Sequence, residues 1–239
     1  MLHLILLTLL PGAPADTTVA LTPDPAPEEP TLADGGLDEL RAEYERAVAE
    51  WRAEFEETEN LQDRAQLRKR HPAHAFWDRF QALAGGGEGR ALLWMLENTG
   101  PRFPKRSARG EAKTGLYEKL FADHGDAEWI GDVVARLPRD ARDIGAETAI
   151  RHVEAALERA SGNPFLEARA TLSLAALLVE SDEGARHERG KELLRRYEKE
   201  NIAVGATAID FPARTIDGHS FKLSDYRGKV VLVDFYGFW

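Results

Sequence analysis

A helical spacing of apolar residues is the strongest constraint on what this chain can fold into. Between residues 37 and 55, apolar residues recur at steps of three and four, and most of the positions between them are Glu, Arg or Ala. These apolar residues are Leu37, Leu40, Tyr44, Val48, Trp51 and Phe55. Such spacing places apolar side chains along one face of an α-helix. It predicts an amphipathic helix that buries this stripe against other helices.

The pattern stays helical to residue 200, with short interruptions. Pro72 suits the first turn of a second helix, Gly85–Gly89 forms a loop, and Asn163 followed by Pro164 starts a later helix. Short connections favour antiparallel neighbours. The sequence therefore predicts a mainly α fold, with a domain of helical hairpins at 37–200. This domain is similar to tetratricopeptide arrays in shape only, because no signature recurs at a fixed period.

The middle of this helical region shows a weaker helical pattern. Residues 102–114 form a basic stretch that contains proline, and we interpret it as a loop. Two short helices follow at 115–124 and 128–137. The second of these ends at residue 137, just before Pro138.

The N-terminal residues predict export from the cytoplasm. An apolar run at 2–10 is followed by Ala13 and Ala15 in an A-x-A arrangement, which is typical of a signal peptide at 1–15. The run is too short to span a bilayer. No Lys or Arg precedes it, and the alternative is a disordered N-terminus or a wrong start codon. Residues 16–36 are rich in Pro, Thr and acidic residues, which predicts a disordered linker. We expect a secreted or periplasmic protein without a membrane span.

The composition excludes several classes of function. The chain has 41 acidic and 31 basic residues, which disfavours nucleic-acid binding. The basic cluster at 64–70 is interpreted as the solvated end of a Glu-rich helix. The 239-residue chain contains no cysteine, which excludes disulfides and a Cys nucleophile within it. His71, His74 and His187 lack the neighbours of a ligand cluster, so we assign no metal and no cofactor.

The sequence changes character at Ala203. Asp217 and Gly218 stand between two short alternating runs, which predicts a β-hairpin with a type I′ turn. Val230–Trp239 is the most apolar stretch outside the N-terminus. A continuous apolar run of this kind predicts a strand that is buried on both faces of a sheet.

Residues 203–239 resemble the start of a redoxin domain of the thioredoxin-like superfamily. They are most similar to TlpA-type thiol-disulfide oxidoreductases and then to AhpC/TSA peroxiredoxins. The positions that carry the resemblance occur in the family's order: Gly205, Ala208, Asp210, Phe211, Asp217-Gly218, Leu223-Ser224-Asp225, Gly228-Lys229 and the apolar strand. The resemblance implies a truncated thioredoxin-like α/β domain behind the helical domain.

The resemblance also implies two site residues. In TlpA-like and thioredoxin proteins a Trp-Cys-x-x-Cys motif follows the strand at a helix N-terminus, where the helix dipole lowers the pKa of the first thiol. Trp239 matches the Trp that precedes this nucleophile. Asp234 matches the buried carboxylate that moves a proton to or from the second thiol; the alternative is a strand-end Asp that accepts backbone hydrogen bonds. The 239-residue chain lacks the nucleophile, so we expect it to be inactive.

These observations lead to one expected function and one alternative. The chain is expected to be the N-terminal part of an extracytoplasmic redoxin that acts on a thiol or disulfide protein or on a peroxide, with a helical domain that binds a protein partner. The alternative is a non-catalytic helical interaction module with a vestigial redoxin segment. The position of Trp239 also leads us to expect a UGA codon read as selenocysteine next, with a fragment or a deliberate cut as alternatives.

Overall fold

The structure is a computed structural model that describes residues 3–6, 32–215 and 219–236. The chain divides into two compact units, which are described separately below. Pro27–Tyr197 form the helical unit, and Met1–Ala26 together with Glu198–Trp239 form the terminal unit. Helices predominate, which confirms the mainly α class. In the ranges that the structure describes, no helix is long and apolar enough to cross a membrane.

Ten helices lie within the described residues. They are α1 (Leu32–Glu57), α2 (Leu61–Lys69), α3 (Ala73–Gly85), α4 (Gly89–Glu97), α5 (Thr99–Arg102), α6 (Arg106–His124), α7 (Ile130–Ile144), α8 (Ala146–Arg159), α9 (Pro164–Val179) and α10 (Gly184–Asn201). The first helix thus begins inside the segment 16–36 that the sequence assigns to a linker. Helix α3 packs on α4, α4 on α6 and α6 on α7, while α7, α8 and α9 pack on one another.

Several helix boundaries follow from local chemistry. The side chain of Asn60 accepts hydrogen bonds from the backbone N–H groups of Gln62 and Asp63, which separates α2 from α1. The basic cluster at 64–70 therefore belongs to its own short helix and not to the end of the Glu-rich one. Asn163 caps α9 by accepting from the Leu166 N–H, and Pro164 is the first helical residue, as the sequence predicts.

The apolar stripe of α1 is buried most deeply at its N-terminal end. Leu37 and Leu40 are buried, and the ring of Tyr44 packs edge-on against Trp94, with 4.8 Å between ring centroids. Trp94 in turn stacks on Phe80 at 3.6 Å. Further along the helix, Trp51 is half-buried and donates a hydrogen bond to the Leu67 carbonyl oxygen at 2.9 Å. The stripe thus anchors α1 to α2, α3 and α4.

Helix α7 continues through Pro138, although the sequence predicts that it ends before this residue. Proline has no N–H group, so the carbonyl oxygen four residues earlier loses its usual helical partner. That oxygen belongs to Val134, and the hydroxyl group of Ser173 on α9 donates a hydrogen bond to it at 3.2 Å. A side chain from a neighbouring helix therefore replaces the missing backbone donor inside the core.

The terminal unit contains four short strands among its described residues. Strand β1 (His3–Leu6) pairs antiparallel with β4 (Val233–Tyr236), and β2 (Pro212–Arg214) pairs antiparallel with β3 (Ser220–Lys222). A short 3-10 helix, Leu223–Tyr226, follows β3 directly. The β2–β3 pair is the predicted hairpin, but Asp217 and Gly218 of its predicted turn lie outside the described residues. Strand β1 falls within the predicted signal peptide.

The predicted burial of the apolar run after Lys229 is wrong in part. The strand begins only at Val233, and the side chains of Val230 and Leu232 are 73% and 65% exposed. No described strand pairs with residues 230–232, so the local apolar pattern alone does not bury these side chains. Residues 237–239 of the run lie outside the described residues.

A double-mutant cycle tests the role of Ser173 in bridging the Pro138 gap. Ser173→Ala should lower the free energy of unfolding by about 1–2 kcal/mol, because it leaves the buried Val134 carbonyl oxygen without a donor. In a Pro138→Ala background the residue at 138 regains an N–H group for this oxygen. There the same Ser173→Ala change should cost less than about 0.5 kcal/mol. Urea denaturation of the four proteins measures both costs, and equal costs in the two backgrounds would contradict the explanation.

Candidate functional site

The two site residues that the sequence predicts lie at the edge of what the structure describes. Asp234 is in β4, opposite Ile5 of β1, but its side chain is outside the described part of the chain. Trp239 lies outside the described residues. Their roles as proton relay and as neighbour of a nucleophile therefore remain predictions.

Other residues that carry the resemblance bind one another. The carboxylate of Asp210 accepts hydrogen bonds from the Ser224 N–H at 2.7 Å and from the Ser224 hydroxyl group at 2.8 Å. These bonds favour the charged form and lower the pKa of Asp210. Asp225 accepts a hydrogen bond from the Lys222 N–H at 2.7 Å. Asp210 and Ser224 thus tie the segment before β2 to the 3-10 helix after β3.

The helical unit contains a buried ion network that joins α6 to α7. The Lys113 ammonium group donates hydrogen bonds to Asp140 at 2.8 Å and to Asp143 at 2.7 Å. The Tyr117 hydroxyl group donates to Asp140 at 2.8 Å. Arg109 binds Asp143 through two parallel hydrogen bonds of 2.9 and 2.8 Å. These five residues are called the α6–α7 ion network below.

The network is buried and its charges are paired. The side chain of Asp140 is 2% exposed and that of Lys113 is 10% exposed. Hydrogen bonds from Arg109 and then Lys113 hold the pKa of Asp143 well below its usual range, so this carboxylate is ionised. Burial, together with the charge of Asp140, raises the pKa of Tyr117, so its hydroxyl group stays a neutral donor. Groups held in this way stabilise one another and are poorly suited to act as a free base or nucleophile.

The backbones of α6 and α7 approach each other closely beside the network. Gly110 lies one residue after Arg109 on α6, and a Cβ atom at this position would come within 2.5 Å of the Asp143 carbonyl oxygen. Any side chain at 110 would push α6 away from α7. The glycine therefore allows the short distances that Lys113 needs in order to reach two carboxylates.

A pocket of about 450 Å³ opens beside the network. Six cationic side chains lie in its wall: Arg106, Arg109, Lys113, Arg136, Arg139 and Arg142. Three carboxylates also line it, Glu97 and the two of the ion network. Leu96, Thr99 and Gly100 complete the wall. This concavity, called the basic pocket below, carries a local excess of positive charge in a chain whose formal net charge is −10.

Neither feature is predicted from the sequence, because several of their residues fall outside the predicted helices. Arg109 and Lys113 fall in the stretch 102–114 that is interpreted as a loop, and Asp140 and Asp143 lie beyond the predicted end of a helix at 137. A signal is nevertheless present. Arg109, Lys113 and Tyr117 are spaced by four, and Asp140 and Asp143 by three, so each set lies on one helical face.

A buried histidine also escapes the sequence analysis. His152 on α8 is buried, and its ring stacks on Phe121 with 5.0 Å between ring centroids. Burial lowers its pKa, with a smaller contribution from the charge of Arg151. Within the ranges 3–6, 32–215 and 219–236, no group of three or more His, Cys, Asp or Glu residues could hold a metal ion. Burial and stacking make His152 part of the core between α6 and α8.

Comparison with known proteins gives two short matches. The chain is 52% identical over 42 residues to the thiol-disulfide oxidoreductase ResA of Geobacillus kaustophilus. It is 48% identical over 42 residues to the protein of the same name from Geobacillus thermodenitrificans. Each match covers 18% of this chain and 24% of the relative, so the chain spans about a quarter of the length of the curated relatives it matches. These matches indicate a thioredoxin-like relationship for the matched part. No family model and no solved structure matches the chain.

Removing the central cation tests the α6–α7 ion network. Lys113→Met should lower the free energy of unfolding by about 3–5 kcal/mol, because two carboxylates in a buried site lose their shared partner. Lys119→Met is the matched control, since Lys119 is an exposed residue of the same helix, and its effect should stay within about 0.5 kcal/mol. Urea denaturation measures both variants. If the two variants have equal stability, Lys113 contributes no more than an exposed lysine does, which would contradict a stabilising role for its contacts in the network.

Proposed function

We propose that the chain is the N-terminal part of an extracytoplasmic, thioredoxin-like thiol-disulfide oxidoreductase. Residues 203–239 would begin the redox domain, and the nucleophile would be supplied by residues that follow Trp239. The helical unit would precede this domain and offer a surface to a protein partner.

The observation that carries the proposal is the 52% identity with a thiol-disulfide oxidoreductase over 42 residues. Its length is close to that of the segment 203–239, in which the sequence itself resembles the start of a redoxin domain. The matched relatives are about four times longer than the match, since it covers 24% of each. The activity of such relatives can therefore be proposed for this protein only as part of a longer chain.

The exposure of apolar side chains in the terminal unit supports the same proposal. Ile202, Val204, Val230 and Leu232 are all more than 60% exposed. Large apolar side chains in and next to a strand normally pack against a sheet neighbour or a covering helix. The proposed redox domain would supply such partners for Val230 and Leu232.

The proposed reaction is thiol-disulfide exchange. A thiolate, or a selenolate if the nucleophile is selenocysteine, attacks one sulfur of a substrate disulfide and forms a mixed disulfide, while the other sulfur leaves as a thiolate. A second thiol of the enzyme then attacks the mixed disulfide, releases the reduced substrate and leaves the enzyme oxidised. Asp234 would accept the proton of this second thiol. Trp239 would lie immediately before the first nucleophile.

The gene provides the most direct test. We expect the codons that follow Trp239 to encode Cys-x-x-Cys, or a UGA codon and then x-x-Cys, followed by the remainder of a thioredoxin-like domain. The complete protein should then reduce insulin disulfides in the presence of a thiol reductant. The 239-residue chain, which contains no cysteine, is the matched control and should show no turnover above buffer.

Two outcomes would count against the proposal. The first is a gene that encodes no further redoxin sequence after Trp239, which would favour the helical interaction module with a vestigial redoxin segment. The second is equal turnover by the complete protein and by the cysteine-free chain. In addition, Asp234→Asn in the complete protein should lower the rate of the second thiol step more at neutral pH than at high pH, where this thiol ionises without help.

A further inference from the structure

The basic pocket has more positive charge than its own carboxylates can neutralise. Six cations line it against three carboxylates. Two of these cations, Arg109 and Lys113, are fully engaged in the α6–α7 ion network. Arg106 donates hydrogen bonds to the Arg142 carbonyl oxygen and so caps the C-terminal end of α7. The other three cations are Arg136, Arg139 and Arg142 of α7.

These three arginines are spaced by three residues on α7, and two of them are poorly compensated. Arg139 has one long ion pair, 3.7 Å from an Asp140 oxygen that Lys113 already occupies, and its side chain is 69% exposed. Arg142 is exposed, and its side chain has no ion pair or hydrogen bond within the part of the chain that the structure describes. Two guanidinium groups in the wall of the pocket are thus available to a ligand.

Arg136 adds an unsatisfied donor. One of its terminal nitrogens binds Glu97 at 3.0 Å. Its Nε atom, however, is buried and has no hydrogen-bond partner among the described residues. A buried donor without an acceptor is unfavourable, and most such groups in proteins find a partner. Because this Nε atom is closed to a water-sized molecule, a ligand in the basic pocket would bind the second terminal nitrogen of Arg136, which makes no hydrogen bond to the described residues and is not buried.

Capping of the α7 dipole explains only part of this arrangement. A cation near the C-terminal end of a helix is stabilised, but the effect is confined to about the last turn. Arg142 lies in that turn, whereas Arg136 lies two turns before the end of α7 at Ile144. The dipole of α7 also does not explain why the arginines line a concave pocket together with Thr99, Gly100 and the ion network.

We propose that the basic pocket binds the phosphate group of a small phosphorylated ligand, with Arg136, Arg139 and Arg142 as its ligands. Guanidinium groups match the oxygens of phosphate with paired hydrogen bonds. The excess of three positive charges matches a phosphate monoester, which carries about two negative charges near neutral pH, better than it matches a single carboxylate. The volume of about 450 Å³ leaves room for an organic group beside the phosphate. This inference does not depend on the proposed redox function.

The test uses the 239-residue chain and titration calorimetry with inorganic phosphate, pyrophosphate and phosphoserine at a constant ionic strength of about 0.1 M. Arg139→Gln/Arg142→Gln removes the two most available guanidinium groups. Arg189→Gln/Arg195→Gln is the matched control, because it removes two exposed arginines of α10 and changes the net charge equally. Acetate at the same concentration serves as the singly charged carboxylate probe.

We expect the wild-type chain and the control to bind at least one of the phosphate probes. The Arg139→Gln/Arg142→Gln variant should bind it about tenfold more weakly or worse, and acetate should bind about tenfold more weakly than phosphate. Three results would overturn the proposal: no binding of any phosphate probe, equal weakening in the control, or equal affinity for acetate. Since the chain tested contains no cysteine, none of these results bears on the redox proposal.

Discussion

The helical unit depends on how closely α6 approaches α7. Gly110 allows the two backbones to come together, and this approach brings Lys113 within hydrogen-bonding distance of Asp140 and Asp143. Helix α6 also packs on α4, and α7 packs on α8 and α9. The α6–α7 contact therefore links the helices around Trp94 to α8 and α9 within one hydrophobic core. The same contact holds in place the wall of the basic pocket.

A buried network of charges favours one arrangement of the helices over others. Burying an ion pair contributes little net stability, because desolvation offsets most of the attraction between the charges. Loss of one partner is far more unfavourable, since the other charge then stays buried alone. A shift of α6 along α7 would separate Lys113 and Arg109 from their carboxylates. We infer that the network fixes the register of these two helices, while apolar burial at residues such as Leu120 and Leu137 supplies most of the stability.

The sequence predicts helix boundaries that are set by neighbouring residues. It misses contacts between residues that are far apart in the chain. The start of α9 is predictable, because Asn163 caps the helix and Pro164 is its first residue, and both act within one turn. The continuation of α7 through Pro138 is not, because the compensating donor, Ser173, lies on another helix. The ion network is missed for the same reason, since neither Lys113 nor Asp140 is unusual until its partner is known. The apolar run after Lys229 predicts a buried strand, yet Val230 and Leu232 are exposed because burial needs partners that the pattern does not contain.

The proposal that residues 203–239 begin a longer domain implies that the stability of this chain resides in the helical unit. Native-state hydrogen exchange of the 239-residue chain, followed by mass spectrometry, tests it directly. We expect the slowest amides to lie in α6, α7 and α9, and the amides of β2, β3 and the 3-10 helix at 223–226 to exchange by local opening at a much lower free energy. Protection of β2 and β3 equal to that of α7 would contradict this expectation.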